Sequence, residues 1–78
     1  MNWKLVVKTK EYSVGIIYSN EEQATNYILE IYRMLGTEEC LYLKGNKFLN
    51  LSWIKEPSYV RSILIRKEDF ESVYLIEV

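Results

Sequence analysis

The sequence predicts an α+β fold: an antiparallel sheet of five to six strands, in the order ββαββββ, with one amphipathic helix packed on one face. Three observations carry this. Two runs near the N-terminus, "WKLVVKT" and "YSVGIIY", alternate their apolar side chains with the period of two that half-buried strands require. Between Asn20 and Leu35 the apolar residues instead recur at helical spacing. The remainder reads as short strands joined by short loops, which favours antiparallel neighbours.

The first two runs form a hairpin. A loop centred on Lys10-Glu11 sets Val7 opposite Val14, Leu5 opposite Ile16 and Trp3 opposite Tyr18. An odd slip would turn one apolar row into water, so this register is strongly specified. Lys10-Glu11 is not a primed-turn pair, and a four-residue loop is expected.

Helix signals follow directly. Ser19 with Glu22 three residues on reads as a capping box, and Glu21 and Glu22 complement the helix dipole. Ala24, Tyr27, Ile28, Ile31, Met34 and Leu35 make the buried stripe of a helix over about 20–35. Gly36 offers a left-handed stop after Arg33. Leu29 and Tyr32 lie off the stripe, Leu29 toward water.

"CLYLK" and "KFLNLSWI" flank Gly45-Asn46, which reads as a two-residue hairpin turn. Pairing around it sets Lys44 opposite Lys47 at a tip in solvent, Leu43 opposite Phe48 and Tyr42 opposite Leu49. "KEPS" is a loop, because Pro57 cannot donate to a ladder. "VRSILI" and "SVYLIEV" complete the strands, and the charged "RKEDFE" between them suits one helical turn that tucks Phe70 inward.

Width then becomes a question. Six strands at ~4.8 Å make a sheet about 24 Å across, whereas a helix covers only ~10–12 Å. Either the sheet coils tightly around its helix, or a second molecule covers it. A domain this small gains most from the latter, so a homodimer is expected. Leu41, Leu43, Phe48 and Ile54 are taken as the core face of the second hairpin. Tyr42, Leu49, Leu51 and Trp53, with Leu29 and Tyr32 of the helix, then become the candidate protein interface, since Tyr and Trp are enriched at binding hot spots.

Composition limits the chemistry. The 78 residues read as a single domain, 1–78, with one cysteine, no histidine and a formal charge of −1 from 10 basic and 11 acidic residues. One cysteine forms no internal disulfide, and without histidine there is no zinc ligand set. No metal, cofactor or phosphate loop is expected, because Gly15, Gly36 and Gly45 are scattered. Glu38 and Glu39 read as solvated loop charge, and Cys40 has no neighbouring histidine to activate it. A non-enzyme is expected.

No apolar stretch is long enough for a signal peptide or membrane span, and the free thiol suits a reducing cytoplasm. Abundant Ile, Lys, Asn and Tyr, with single Ala24 and Asp69, match A/T-rich codons, as in an A/T-rich bacterium or a phage. Lys4 and Lys8 share the outer face of the first strand with Lys10 beside them, a possible anion-binding face. The same lysines also suit a solvated face or a guarded strand edge. The functional expectation is a small regulatory or inhibitory module that docks on a larger protein; if the coding bias reflects a phage, its concrete form is an inhibitor of a host enzyme or defence protein. The alternative is a nucleic-acid or nucleotide binder using the Lys4/Lys8/Lys10 face.

Overall fold

The computed structural model describes residues 1–51, 56 and 58–78. The predicted readings of Trp53, Ile54 and Pro57 lie outside the described residues. Within them the chain is α+β: β1 (Trp3–Thr9), β2 (Tyr12–Tyr18), α1 (Glu21–Thr37), β3 (Cys40–Leu43), β4 (Lys47–Leu51), β5 (Ser58–Val60), β6 (Ile63–Arg66) and β7 (Phe70–Glu77). Five strands form one antiparallel sheet in the order β5-β4-β2-β1-β7, and β3 and β6 form a separate pair.

The opening hairpin has the predicted register, with Trp3, Leu5 and Val7 opposite Tyr18, Ile16 and Val14. Its last ladder pair is Lys8 with Ser13, as a four-residue loop requires. Thr9 closes that loop with its side chain: Oγ1 donates to the Tyr12 carbonyl at 2.9 Å and accepts from the Tyr12 amide at 3.1 Å.

Helix α1 forms where the periodicity placed it, with different ends. Asn20 rather than Ser19 is the N-cap; its Oδ1 accepts from the amides of Glu22 at 2.8 Å and Gln23 at 3.3 Å. Gly36 does not stop the helix. Its φ is not positive, the helix runs through it to Thr37, and Glu38 ends it in an extended conformation while donating back to the Met34 carbonyl. Ala24, Ile31 and Met34 are buried, whereas Leu29 and Tyr32 are exposed.

The second hairpin needs correction. Leu43 does not face Phe48, because β3 pairs with β6 (Leu41 with Ile65, Tyr42 with Leu64) while β4 pairs with β2 and β5. Gly45, at φ 87°, instead carries the chain from one sheet to the other. The strand read over 60–65 is likewise two strands: β5 belongs to the large sheet, β6 to the small one, and Arg61-Ser62 crosses between them. Lys47, expected at a solvent tip, is 1% exposed.

These two crossings answer the question of width. The small sheet folds over the inner face of the large one, beside the helix. Leu5, Val7, Val14 and Ile16 of the large sheet share one core with Ile31 and Met34 of α1 and with Leu41, Leu43 and Ile65 of the small sheet. Helix and small sheet together provide the cover that one helix could not. A single 3₁₀ turn at Lys67–Asp69 then leads into β7, and Phe70 packs against the core as expected. The Cα envelope measures 33 × 32 × 19 Å, its short axis fitting two layers packed about 10 Å apart. The outer face of the large sheet has no third layer among the described residues.

Candidate functional site

Strand parity determines what that outer face presents. Cross-strand pairing aligns Tyr59, Phe48, Gly15, Val6 and Tyr74 in one row running through all five strands. On one side runs Ile17–Lys4–Ile76, and on the other Asn50–Ser13–Lys8–Ser72. The centre is therefore apolar and aromatic. Phe48 and Tyr59 pack ring against ring at 4.6 Å, while Ile17, Tyr74 and Ile76 are 44, 45 and 42% exposed.

Gly15 gives the face its flat middle. A Cβ there would meet Lys4 Cε at 2.7 Å, so the Lys4 stem lies across the glycine and its ammonium reaches over the apolar row. Lys8 stands 4.0 Å from Glu71 at the rim. Lys8 and Lys10 line a cleft of about 380 Å³ with Ser13, Asn50 and Tyr74; Lys4 lies elsewhere. Lys4 and Lys8 thus share one face, whereas Lys8 and Lys10 share one pocket. Helix α1 has the opposite sign, with Glu21, Glu22 and Glu30 on it and Glu38 and Glu39 after it, against Arg33 within it.

The predicted interface residues are not brought together. Tyr42 lies outside the small sheet, 42% exposed beside Leu64, with Lys44 Nζ 5.6 Å from its ring centre. Leu49 belongs to the large sheet and packs inward against the core, opposite Val14, and Leu51 pairs with Tyr12 on the same inner face. The predicted faces of β4 are therefore exchanged: Phe48 points outward and Leu49 inward. The reason is the missing hairpin, since β3 and β4 lie in different sheets and share no parity. Leu29 and Tyr32 form a smaller exposed pair on α1, 61 and 56% exposed.

A second cleft, about 430 Å³, lies between α1 and β3 and includes Tyr27, Glu30, Arg33, Cys40 and Tyr42. Arg33 pairs with two carboxylates of the cleft, Glu30 and Glu38. Arg33 Nε donates to Glu30 Oε2 at 2.9 Å, which holds the Glu30 carboxyl below its usual range and raises the guanidinium. Burial pushes the Tyr27 phenol up, offset in part by a hydrogen bond with the Lys44 backbone. Glu30 and Glu38 line this cleft with Cys40, and no cluster of three metal-ligating side chains exists among the described residues.

Sequence reasoning missed the central row because Tyr59 and Tyr74 lie on strands whose neighbours were unknown. The signal is available in part, since the sequence sets Lys4 and Lys8 on the outer face of the first strand. In comparisons with known proteins, no family model, curated protein or solved structure matches the chain at a significant level.

Proposed function

We propose that this chain is a small regulatory or inhibitory module that docks the open face of its large sheet on a larger protein with an apolar centre and an acidic rim. The outer face carries this reading, with Tyr59, Tyr74, Ile17 and Ile76 exposed around the row through Phe48, Gly15 and Val6, because exposed apolar patches rimmed by polar residues mark interaction surfaces. The partner's charge follows from Lys4 and Lys8, which stand on this face. Such complementarity governs association rate and partner choice more than affinity. The module acts by occupancy, with no reaction of its own, in a cytoplasm that keeps Cys40 reduced. No helix is long and apolar enough to cross a membrane among the described residues.

Capture experiments with the unmodified chain and three variants as baits test this. Ile17→Glu and Tyr59→Ala should each abolish capture of a partner that the unmodified chain retains, while Leu29→Glu on the helix should not. Raising salt should slow association with the purified partner. Loss on Leu29→Glu with retention on Ile17→Glu would move the site to the helix.

One observation favours a second reading. Tyr74 shares its cleft with Lys8 and Lys10, and an aromatic ring between cations is how single-stranded nucleic acid is commonly held. Tight binding of a labelled single-stranded oligonucleotide at about 150 mM salt, lost on Lys8→Glu plus Lys10→Glu, would replace protein docking with this reading. The net charge of −1 and the aliphatic content of the face favour protein.

A further inference from the structure

β7 closes the large sheet on one side with an eight-residue strand. Asn2 and Val78 exchange both backbone hydrogen bonds, at 3.2 and 2.8 Å. In an antiparallel ladder such pairs alternate with pairs that exchange none. With the observed register, Ile76, Tyr74 and Ser72 therefore bond to β1, while the amides and carbonyls of Val73, Leu75 and Glu77 point away from it. Among the described residues these outward groups have no backbone partner.

Natural proteins blunt long edges with lysine, proline or a cover. β7 contains neither lysine nor proline, and its charges, Glu71 and Glu77, stand near its two ends. Such charges select a register rather than block the edge.

We infer that β7 pairs antiparallel with β7 of a second copy about a two-fold axis at Leu75, joining the two large sheets into one continuous sheet. In this register Leu75 faces Leu75 of the second copy, and Val73 faces its Glu77. All three outward pairs, counting the reciprocal one, form two bonds each, about six in total. On the outer face Tyr74 lies beside Ile76 of the second copy, an aromatic–β-branched pair of the kind that stabilises sheets, repeated by symmetry. Moving the axis to Tyr74 would set Glu71 against Glu77 twice. Moving it to Val73 would set Tyr74 beside Ser72, and moving it to Ile76 would set Tyr74 beside Val78, so either loses the Tyr74–Ile76 pair. An odd slip would set inward residues against outward ones. Charge and side-chain shape thus agree on one register for a second copy of this chain.

The inference is independent of partner docking, because its readout is mass. Sedimentation equilibrium of the unmodified chain should give twice 9.3 kDa at tens of micromolar. Tyr74→Lys plus Ile76→Lys sets two pairs of like charges across the axis and should weaken association at least about tenfold, roughly 1.4 kcal/mol. Tyr74→Lys plus Ile76→Glu makes the same pairs complementary and should restore the dimer. Both positions are exposed, so circular dichroism should be unchanged. Should the lysine variant unfold, Tyr74→Cys plus Ile76→Cys in a Cys40→Ser chain replaces it. Non-bonded partners across such strands stand about 4.5 Å apart at Cα, within disulfide reach, so oxidation should cross-link two chains. An unmodified monomer at high concentration, or a dimer that the complementary variant fails to restore, overturns the inference.

Discussion

Lys47 is a charged side chain with 1% of its surface exposed, and no carboxylate lies within 4 Å of it among the described residues. Its ammonium donates instead to two carbonyls, Gly45 O and, at 2.6 Å, Arg61 O. Those residues are the two places where the chain crosses between sheets, so a single cation ties both crossings together. Lys47→Met keeps the stem and removes the donors. Hydrogen bonds to charged groups are worth about 1.5–3 kcal/mol, but both carbonyls belong to exposed residues that water can reach. A loss of about 1–2 kcal/mol in urea unfolding is expected. Burial also lowers the Lys47 pKa from 10.5. Between that lowered value and 10.5 the unfolded chain binds more protons, so stability rises with pH across this window. Tyr12, Tyr18 and Tyr27 act in the opposite sense. Burial raises each above 10.0, so their contribution is present below pH 10 and is lost as pH rises through the folded values. Urea melts at successive alkaline pH values should show a rise followed by a fall, and Lys47→Met should remove the rise alone.

Among the elements, α1 offers the clearest tests, because both of its ends differ from the sequence reading. Asn20→Ala should cost about 1 kcal/mol, the usual value of an N-cap side chain, whereas Ser19→Ala should change little. Gly36 sits inside the helix, and nothing lies within 4 Å of a Cβ built on it. Gly36→Ala should therefore stabilise by about 0.5–1 kcal/mol. A left-handed stop at Gly36 would give the opposite sign. Thermal unfolding of these three variants separates the two descriptions of the helix.

At the scale of the whole molecule, the two sheets should differ in how readily they open. β1 and β2 are each paired on both sides within the large sheet, whereas β3 and β6 pair only with each other. An isolated two-stranded ribbon is marginal in water, so the small sheet depends on its three buried side chains, Leu41, Leu43 and Ile65. Native-state hydrogen exchange should find the amides bonded between β3 and β6 exchanging through smaller openings than those bonded between β1 and β2. Equal protection in both would mean that they open as one cooperative unit. Peripheral strands that move apart would leave the large sheet and its open face intact.

By itself the sequence determined the fold class, the register of the first hairpin and the buried stripe of the helix. Each depends on a local periodicity that only one arrangement satisfies: an odd slip between β1 and β2 strands an apolar row, and Ala24, Ile31 and Met34 align at no other period. It also indicated that one helix cannot cover the sheet. Tertiary structure alone decided what covers it. A turn at Gly45-Asn46 looks the same in sequence whether it joins two strands of one sheet or carries the chain to another. The difference is made by distant groups: the Arg61 carbonyl that receives Lys47, and the Ile65 side chain that packs beside Leu41. Because parity on β4 follows its sheet rather than its neighbour in sequence, Leu49 turned inward and Phe48 outward. The outer face of the candidate site became legible only when pairing set Tyr59 and Tyr74 in one row with Val6.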